Sequence, residues 1–323
     1  MTFEITKHYQ APTPSLWQGR ADSAANERFF QVVKQIDLNR RALSELEPGL
    51  AIIGFACDEG VKRNLGRIGA AQGPDELKQQ LAKLPIFSTP HLYDLGNITC
   101  LDQDLEQAQV KLGQLIDNCH QNNHKTLILG GGHETAWGHY LGLKPHYPDL
   151  GIINFDAHFD LRNENRSTSG TPFLQIAHDK QALEQSFDYL CYGIQQTANT
   201  ASLFETAEQL DVKYLTNQHI HSQSLSWSTS EIEDFINLKN HLYISICLDV
   251  FSTAIAPGVS APQPLGLLAN EVLPILELIM KSDKVRSIDI VELNPKYDVN
   301  QITAKLASQL AAEVVYGLTS TER

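Results

Sequence analysis

Short apolar runs rich in β-branched residues punctuate the chain at Ala51–Ala56, Leu92–Leu95, Thr126–Leu129, Gly151–Phe155, Tyr189–Gly193, Val212–Leu215, Leu242–Leu248 and Val285–Val291. Most lack strict apolar–polar alternation, the pattern of strands covered on both faces. Between them lie stretches of helical period, among them Asp75–Leu84, Leu105–Asn122, Ser230–Leu238, Asn270–Lys281 and Gln301–Tyr316. Eight strands alternating with helices predict an α/β fold: one doubly wound, mostly parallel sheet with helices on both faces. No linker, charge block, repeat or low-complexity tract divides the chain. The expected organisation is therefore an N-terminal extension over residues 1–45, packed on a single domain spanning 46–323. In such sheets ligands bind beyond the carboxyl ends of the strands. Polar clusters directly after a strand are therefore the places to look for chemistry.

Composition narrows the field without naming a substrate. The 323 residues carry 25 Lys+Arg against 38 Asp+Glu, a formal net charge of −13. A polyanion partner needs a basic footprint, so nucleic acid is excluded as the expected ligand. The five cysteines are odd in number and widely spaced, with no CxxC pair and no disulfide framework. Met1 to Trp17 has no apolar core of signal-peptide type, and no apolar run reaches the ~18 residues that span a bilayer. The expectation is a cytoplasmic protein with no membrane partner and a small-molecule substrate.

Three polar clusters follow predicted strands. Gly130-Gly131-Gly132-His133-Glu134 follows the third, Asp156-Ala157-His158-Phe159-Asp160 the fourth, and Ser245-Ile246-Cys247-Leu248-Asp249 closes the seventh. On an extended segment, the period of two sends Asp156, His158 and Asp160 to one face. Two carboxylates and an imidazole crowded together repel unless a cation neutralises them, and a mixed N/O set suits a divalent first-row metal. A solvated polar turn is the bland alternative. The glycine run lacks the spacing and lysine of a phosphate loop, and His133, taken alone, is as readily structural as ligating. Cys247 alternates with Asp249 and is either a ligand or a small buried hydrophobe. Together His133, Asp156, His158, Asp160, Asp249 and Cys247 exceed what one ion usually takes from side chains. A two-metal site performing metal-assisted hydrolysis is the economical reading.

These clusters, with Asp289-Ile290-Val291-Glu292-Leu293-Asn294-Pro295, resemble the ureohydrolases (arginase, agmatinase and formimidoylglutamase) in order and spacing. The resemblance implies an arginase-like catalytic domain with two Mn2+ bridged by a hydroxide that attacks an amidine or guanidine carbon. One metal would be held by His133, Asp156 and Asp160, the other by His158 and Asp249, with Asp156 shared. Most members carry a bridging aspartate at the position of Cys247. A thiolate prefers zinc or iron to manganese, so that second site is where metal identity and occupancy are least fixed. Gly132 is another departure, because arginase-like sequences tend to carry Asp there. Glu292 matches a glutamate that pairs with the cationic nitrogen of the substrate.

The far end of the substrate separates the members. Arg162 stands two residues after Asp160, where a guanidinium fork fits a carboxylate. The loop after the first strand adds Arg63, Asn64 and Arg67, and both this loop and Ala256–Pro262 look like formimidoylglutamase. The expected reaction is hydrolysis of N-formimidoyl-L-glutamate to L-glutamate and formamide, a step of histidine breakdown. Asp160 is a candidate to pass a proton to the departing amine, because the histidine that follows a Ser-Gly pair in arginase is here Thr171. Ser169 and Thr171 are candidate substrate contacts or turn formers. The rivals are another ureohydrolase acting on a guanidino or ureido acid and a metal-poor, non-enzymatic relative. A homo-oligomer is left open, since no tract specifies an interface.

Overall fold

A computed structural model describes residues 7–20 and 22–319. All eight predicted strands are present. They are β3 (Leu50–Ala56), β4 (Leu92–Thr99), β5 (Lys125–Gly130), β6 (Leu150–Phe155), β7 (Tyr189–Ile194), β8 (Lys213–Thr216), β9 (His241–Cys247) and β10 (Val285–Val291). Two further strands of two residues each, β1 (Tyr9–Gln10) and β2 (Lys34–Gln35), bring the sheet to ten. The sheet order is β1-β4-β3-β5-β10-β9-β6-β7-β8, with β2 also paired to β4. Among the strand pairs of the described residues, only β1–β4 is antiparallel. The N-terminal segment thus covers the edge of β4 with backbone hydrogen bonds, which closes an otherwise open sheet edge.

The helices are α1 (Phe29–Val32), α2 (Glu59–Arg63), α3 (Gly73–Leu81), α4 (Leu105–Gln121), α5 (Thr135–Leu143) and α6 (Pro172–Ala182). They continue with α7 (Ala201–Gln209), α8 (Asn217–Ser222), α9 (Leu225–Asn237), α10 (Ala269–Met280) and α11 (Ile302–Thr319). Successive strand side chains enter opposite cores. Ile52, Leu127, Ile153 and Ile244 join Leu77 of α3, Phe235 of α9, Ile275 of α10 and Leu310 of α11. Ile53, Ile128, Ile152 and Tyr243 join Leu112 of α4, Tyr140 of α5, Ile176 of α6 and Leu203 of α7. Burial on both faces is why the strands read as continuous apolar runs. No described helix is long and apolar enough to cross a membrane.

The topology positions the chemistry. β5, β10, β9 and β6 are contiguous in the sheet although they are scattered in sequence. Their parallel register pairs Ile290 with Leu129, Val291 with Cys247, and Ile246 with Phe155. The segments that leave these four strands therefore emerge at one level, at the carboxyl end of the sheet.

Candidate metal centre and substrate cavity

Beyond β5, three glycines carry the chain into α5. At Gly131 the backbone passes so close to Cys57 that an added Cβ would lie 1.8 Å from the Cys57 carbonyl oxygen. The Gly132 N–H donates to that same oxygen at 2.9 Å. A Cβ at Gly132 would lie 2.0 Å from Glu134 Oε2, so the buried Glu134 carboxylate fills the space that an aspartate at position 132 would need. The loop that holds His133 is fixed by these contacts.

Asp156, His158 and Asp160 lie just past the end of β6, not on it. They converge through a turn and not through strand alternation. The His158 N–H donates to Asp156 Oδ1 at 2.7 Å, and Asp160 takes a left-handed φ of 50°. The same holds beyond β9, where Cys247 is the last strand residue and Asp249 sits in the 3-10 turn Leu248–Val250. Glu292, directly after β10, also has a positive φ of 70°. Left-handed backbone at two non-glycine residues of one site is strain that the surrounding packing maintains.

The side chains from these segments meet. His133 Nδ1 lies 3.0 Å from Asp156 Oδ2 and 2.9 Å from Asp160 Oδ2. His158 Nδ1 lies 3.4 Å from Asp156 Oδ1 and 3.2 Å from Asp249 Oδ2. Donor atoms of His133, Asp156 and Cys247 fall within 4.8 Å of one another, and so do those of Asp156, His158 and Asp249. Asp156 belongs to both groups.

A network behind the cluster sets the orientation of His133. Ser245 Oγ donates to Asp289 Oδ1 at 2.5 Å, so it accepts from His133 Nε2 at 2.9 Å. With Nε2 committed to Ser245, Nδ1 is the nitrogen aimed at the two carboxylates and the atom that would face a metal. Asp289 is held in turn by Tyr243 and His139. Asn199, at the mouth of the cavity, accepts from the Phe159 N–H at 3.1 Å and donates to the Ala157 carbonyl at 2.9 Å, clamping the Asp156–Asp160 turn. Neither Asn199 nor the orienting role of Asp289 was apparent from sequence. The position of Asn199 just after β7 is the signal that would have found it, since polar residues that follow a strand end share this rim.

The electrostatics describe a crowd of groups that cannot all be charged. Burial pushes the Cys247 thiol well up, and the surrounding carboxylates of Asp156, Asp249, Glu292 and Asp160 push it further. Burial likewise raises Glu292, helped by Glu134 and Asp249. It raises Glu134 to about 7, and it raises Asp160 and Asp249 with the help of Asp156. Against its own burial, Asp156 is held below the usual carboxylate range by His133 and His158. Several acceptors remain unsatisfied: His133 Nδ1, Asp249 Oδ1 and Glu292 Oε2 are buried without a hydrogen-bond partner. Buried polar atoms are normally paired. Imidazoles and carboxylates packed at these distances share protons that divalent cations can replace. The set of imidazole, carboxylate and one thiol is a divalent-metal donor set.

The cluster floors a cavity of about 220 Å³. His133, His158, Asp160, Cys247, Asp249 and Glu292 form its base, while Asn64, Arg162, Ser169, Asn199 and Ser260 are on its walls. Arg162 is exposed, and among the described residues no hydrogen bond or ion pair engages its guanidinium. Gly170 makes room for it, since a Cβ there would lie 2.7 Å from Arg162 Cδ.

Arg63, Arg67 and Thr171 are placed differently from the sequence expectation, and none of them lines this cavity. The Arg63 guanidinium bonds Glu106 at 2.7 Å, the Ser167 carbonyl at 2.9 Å and the Gln103 carbonyl at 2.9 Å. It thereby ties the segment that leads to Ser169 against α2 and α4. Arg67 donates to the carbonyls of Ser260 and Val259 and stacks 4.2 Å from the Tyr297 ring, which fixes the loop that presents Ser260. Thr171 Oγ1 bonds the Thr168 carbonyl at 3.1 Å and Gln175 at 2.8 Å, as a helix-start turn does. Their hydrogen-bonding capacity is used in building the walls.

Comparison with known proteins shows what the chain as a whole is similar to. The model of the arginase family matches residues 48–317. The formimidoylglutamase of Legionella pneumophila (strain Paris) is 46% identical over 316 residues, covering 97% of this chain and 99% of that protein. The crystal structure of formimidoylglutamase from Bacillus subtilis superposes with a TM-score of 0.77 at 23% identity, over 90% of this chain and 95% of that one. The Trypanosoma cruzi formiminoglutamase solved with two Mn2+ gives a TM-score of 0.76 at 26% identity, over 85% of this chain and 95% of that one.

Proposed function

The chain belongs to the arginase family, and from that premise we propose that it hydrolyses N-formimidoyl-L-glutamate to L-glutamate and formamide, a step of histidine degradation. The observation that carries this reading is the pairing of a buried acceptor-rich cluster with an unpaired guanidinium in one small cavity. The cluster suits the cationic, planar formimidoyl end, and Arg162 suits a carboxylate. An amine-ended substrate without a carboxylate would leave Arg162 unused.

His133, Asp156 and Cys247, with Asp160 beside them, would hold one divalent cation; Asp156, His158 and Asp249 would hold a second. Manganese is the ion we assign, with Cys247 the ligand that distinguishes this chain by adding a softer donor to one of the two groups. When bound, the pair supplies a water of lowered pKa as the nucleophile and Lewis acidity for the charge that develops on the amidine.

The chain's own residues do the remaining work. Glu292 Oε1 accepts from the His133 N–H at 2.8 Å, which leaves Oε2 to meet the amidinium N–H. Arg162 anchors a substrate carboxylate bidentately. Asn64 and Ser169, which hydrogen-bond each other at 3.1 Å, offer polar contacts on the same wall. Asp160, 2.9 Å from His133 Nδ1 on the floor of the cavity, is the candidate donor to the departing glutamate nitrogen. Five free thiols suit a reducing cytoplasm, where we place the reaction.

A substrate panel tests the assignment. Manganese-loaded protein should release glutamate from N-formimidoyl-L-glutamate and little urea from arginine, agmatine or guanidinobutyrate. Urea release without glutamate release would assign the cavity to a guanidino acid instead.

A further inference from the structure

Two thiols outside the metal cluster stand side by side beneath the loop that carries His133. β3 and β4 are parallel neighbours, and their register pairs Ala56 with Thr99. Cys57 and Cys100 are the residues that directly follow these two strands. Neighbouring strands run about 4.8 Å apart, inside the roughly 4.4–6.8 Å Cα separation that a disulfide spans. Cys57 belongs to the core cluster that Cys100 packs against, so the two side chains lie on the same side of the sheet. Both cysteines are free; Cys57 is buried and Cys100 is half-buried.

Cys57 is joined to the site at three points. Its Sγ lies 3.7 Å from Glu134 Oε1. Its carbonyl accepts from the Gly132 N–H, and the Gly131 backbone is packed against that same carbonyl with no space for a Cβ. A displacement of Cys57 by a few tenths of an ångström must therefore move the glycine loop, and with it His133.

We propose that Cys57 and Cys100 are a redox-sensitive pair, closed to a disulfide by hydrogen peroxide, and that closing it lowers turnover. Contact with the Cys57 thiol holds Cys100 below the ordinary thiol range against the opposing effect of burial, which favours attack by the more exposed sulfur. The Cys100 thiolate attacks the peroxide. An S–O bond forms, the O–O bond breaks, and the departing hydroxide takes up a proton to give water. The Cys57 sulfur then attacks the resulting sulfenic acid. An S–S bond forms, the S–O bond breaks, and the second hydroxide leaves as water with the Cys57 proton. Two thiols and one peroxide thus become one disulfide and two waters. The closed form removes the thiol donor near Glu134 and pulls Cys57 toward β4. Misplacement of reacting groups on this scale costs about tenfold or more in rate.

The test uses the full chain, metal-loaded and titrated with hydrogen peroxide. Unreduced peptide mapping by mass spectrometry and turnover are followed together. A linked Cys57–Cys100 peptide should accumulate in step with a loss of about tenfold in turnover, and dithiothreitol should reverse both. C100S, with C100A as a second variant, should start at wild-type turnover and keep it under the same oxidant. Absence of the linked peptide, full turnover in the linked form, or equal inactivation of C100S and C100A would each overturn the proposal. The linked peptide is read by mass, independently of which substrate the cavity takes.

Discussion

Two clusters of buried charge in this chain are built on opposite terms. Under the N-terminal segment, Lys78 is fully buried. Its ammonium donates to Asp94 Oδ1 at 2.8 Å, Asn97 Oδ1 at 2.9 Å and the Gly96 carbonyl at 3.1 Å. Asp94 in turn accepts from the Trp17 indole at 2.7 Å and the Gly96 N–H at 3.0 Å. Every ionic atom there has a partner, and charge is matched one to one. At the carboxyl ends of β5, β6, β9 and β10, acceptors outnumber donors, and several face one another unpaired. The first cluster is complete as the chain folds, and it holds the N-terminal segment on the sheet. The second is complete only when something cationic enters. We assign the function to the unsatisfied cluster, because groups already paired with each other have nothing left to offer a ligand.

Substitutions separate the two. D156N removes the carboxylate that both donor groups share. It should lower turnover about a thousandfold, roughly 4 kcal/mol of transition-state stabilisation. It should also abolish any rise in thermal midpoint on adding Mn2+; steady-state kinetics and thermal melts of the same preparation check both. K78M strands a buried aspartate and should cost about 3–4 kcal/mol of folding stability, measured by denaturant unfolding. The folded fraction of K78M should bind manganese as the wild type does. A K78M protein that loses metal affinity while remaining folded would break the distinction between the clusters. R162A acts at the substrate end alone. It should raise KM about 10–100-fold, the range of a charge-assisted hydrogen bond, with kcat and metal content little changed. An unaltered KM would remove Arg162 from carboxylate binding.

Much of the fold is legible in the sequence because the sheet is buried on both faces. A strand that fills two cores shows an unbroken apolar run, and all eight such runs became strands. α4, α9, α10 and α11 are legible because each presents one apolar stripe to one core. α5 is not legible. Thr135, Ala136, Gly138, His139 and Tyr140 are all buried, so there is no polar face to create a period. β1 and β2 are two residues each, too short for any pattern, and exist because the edge of β4 offers hydrogen bonds.

The site divides in the same way. His133, Asp156, His158, Asp160, Cys247, Asp249 and Glu292 are readable because they follow strands whose ends share one rim. Their convergence has a different origin from the one strand alternation suggests. Turns and left-handed residues bring them together, and sequence spacing does not encode a turn's direction. Arg63 and Arg67 show the limit from the other side. A positive residue in a rim loop is visible in the sequence, but the carbonyls and carboxylates that occupy it belong to segments far along the chain, such as Glu106, Ser167 and Val259.

We propose that the unpaired acceptors at the strand ends bind two divalent cations. Titration of the metal-free full chain with Mn2+, counting bound ions while following the thermal midpoint, tests it most directly. Two ions should bind per chain. The midpoint should climb with free Mn2+ as binding to the folded state alone requires, by about 2.7 kcal/mol of stability at a hundredfold excess over Kd. No bound ions and an unchanged midpoint, with glutamate still released from N-formimidoyl-L-glutamate in excess chelator, would contradict it.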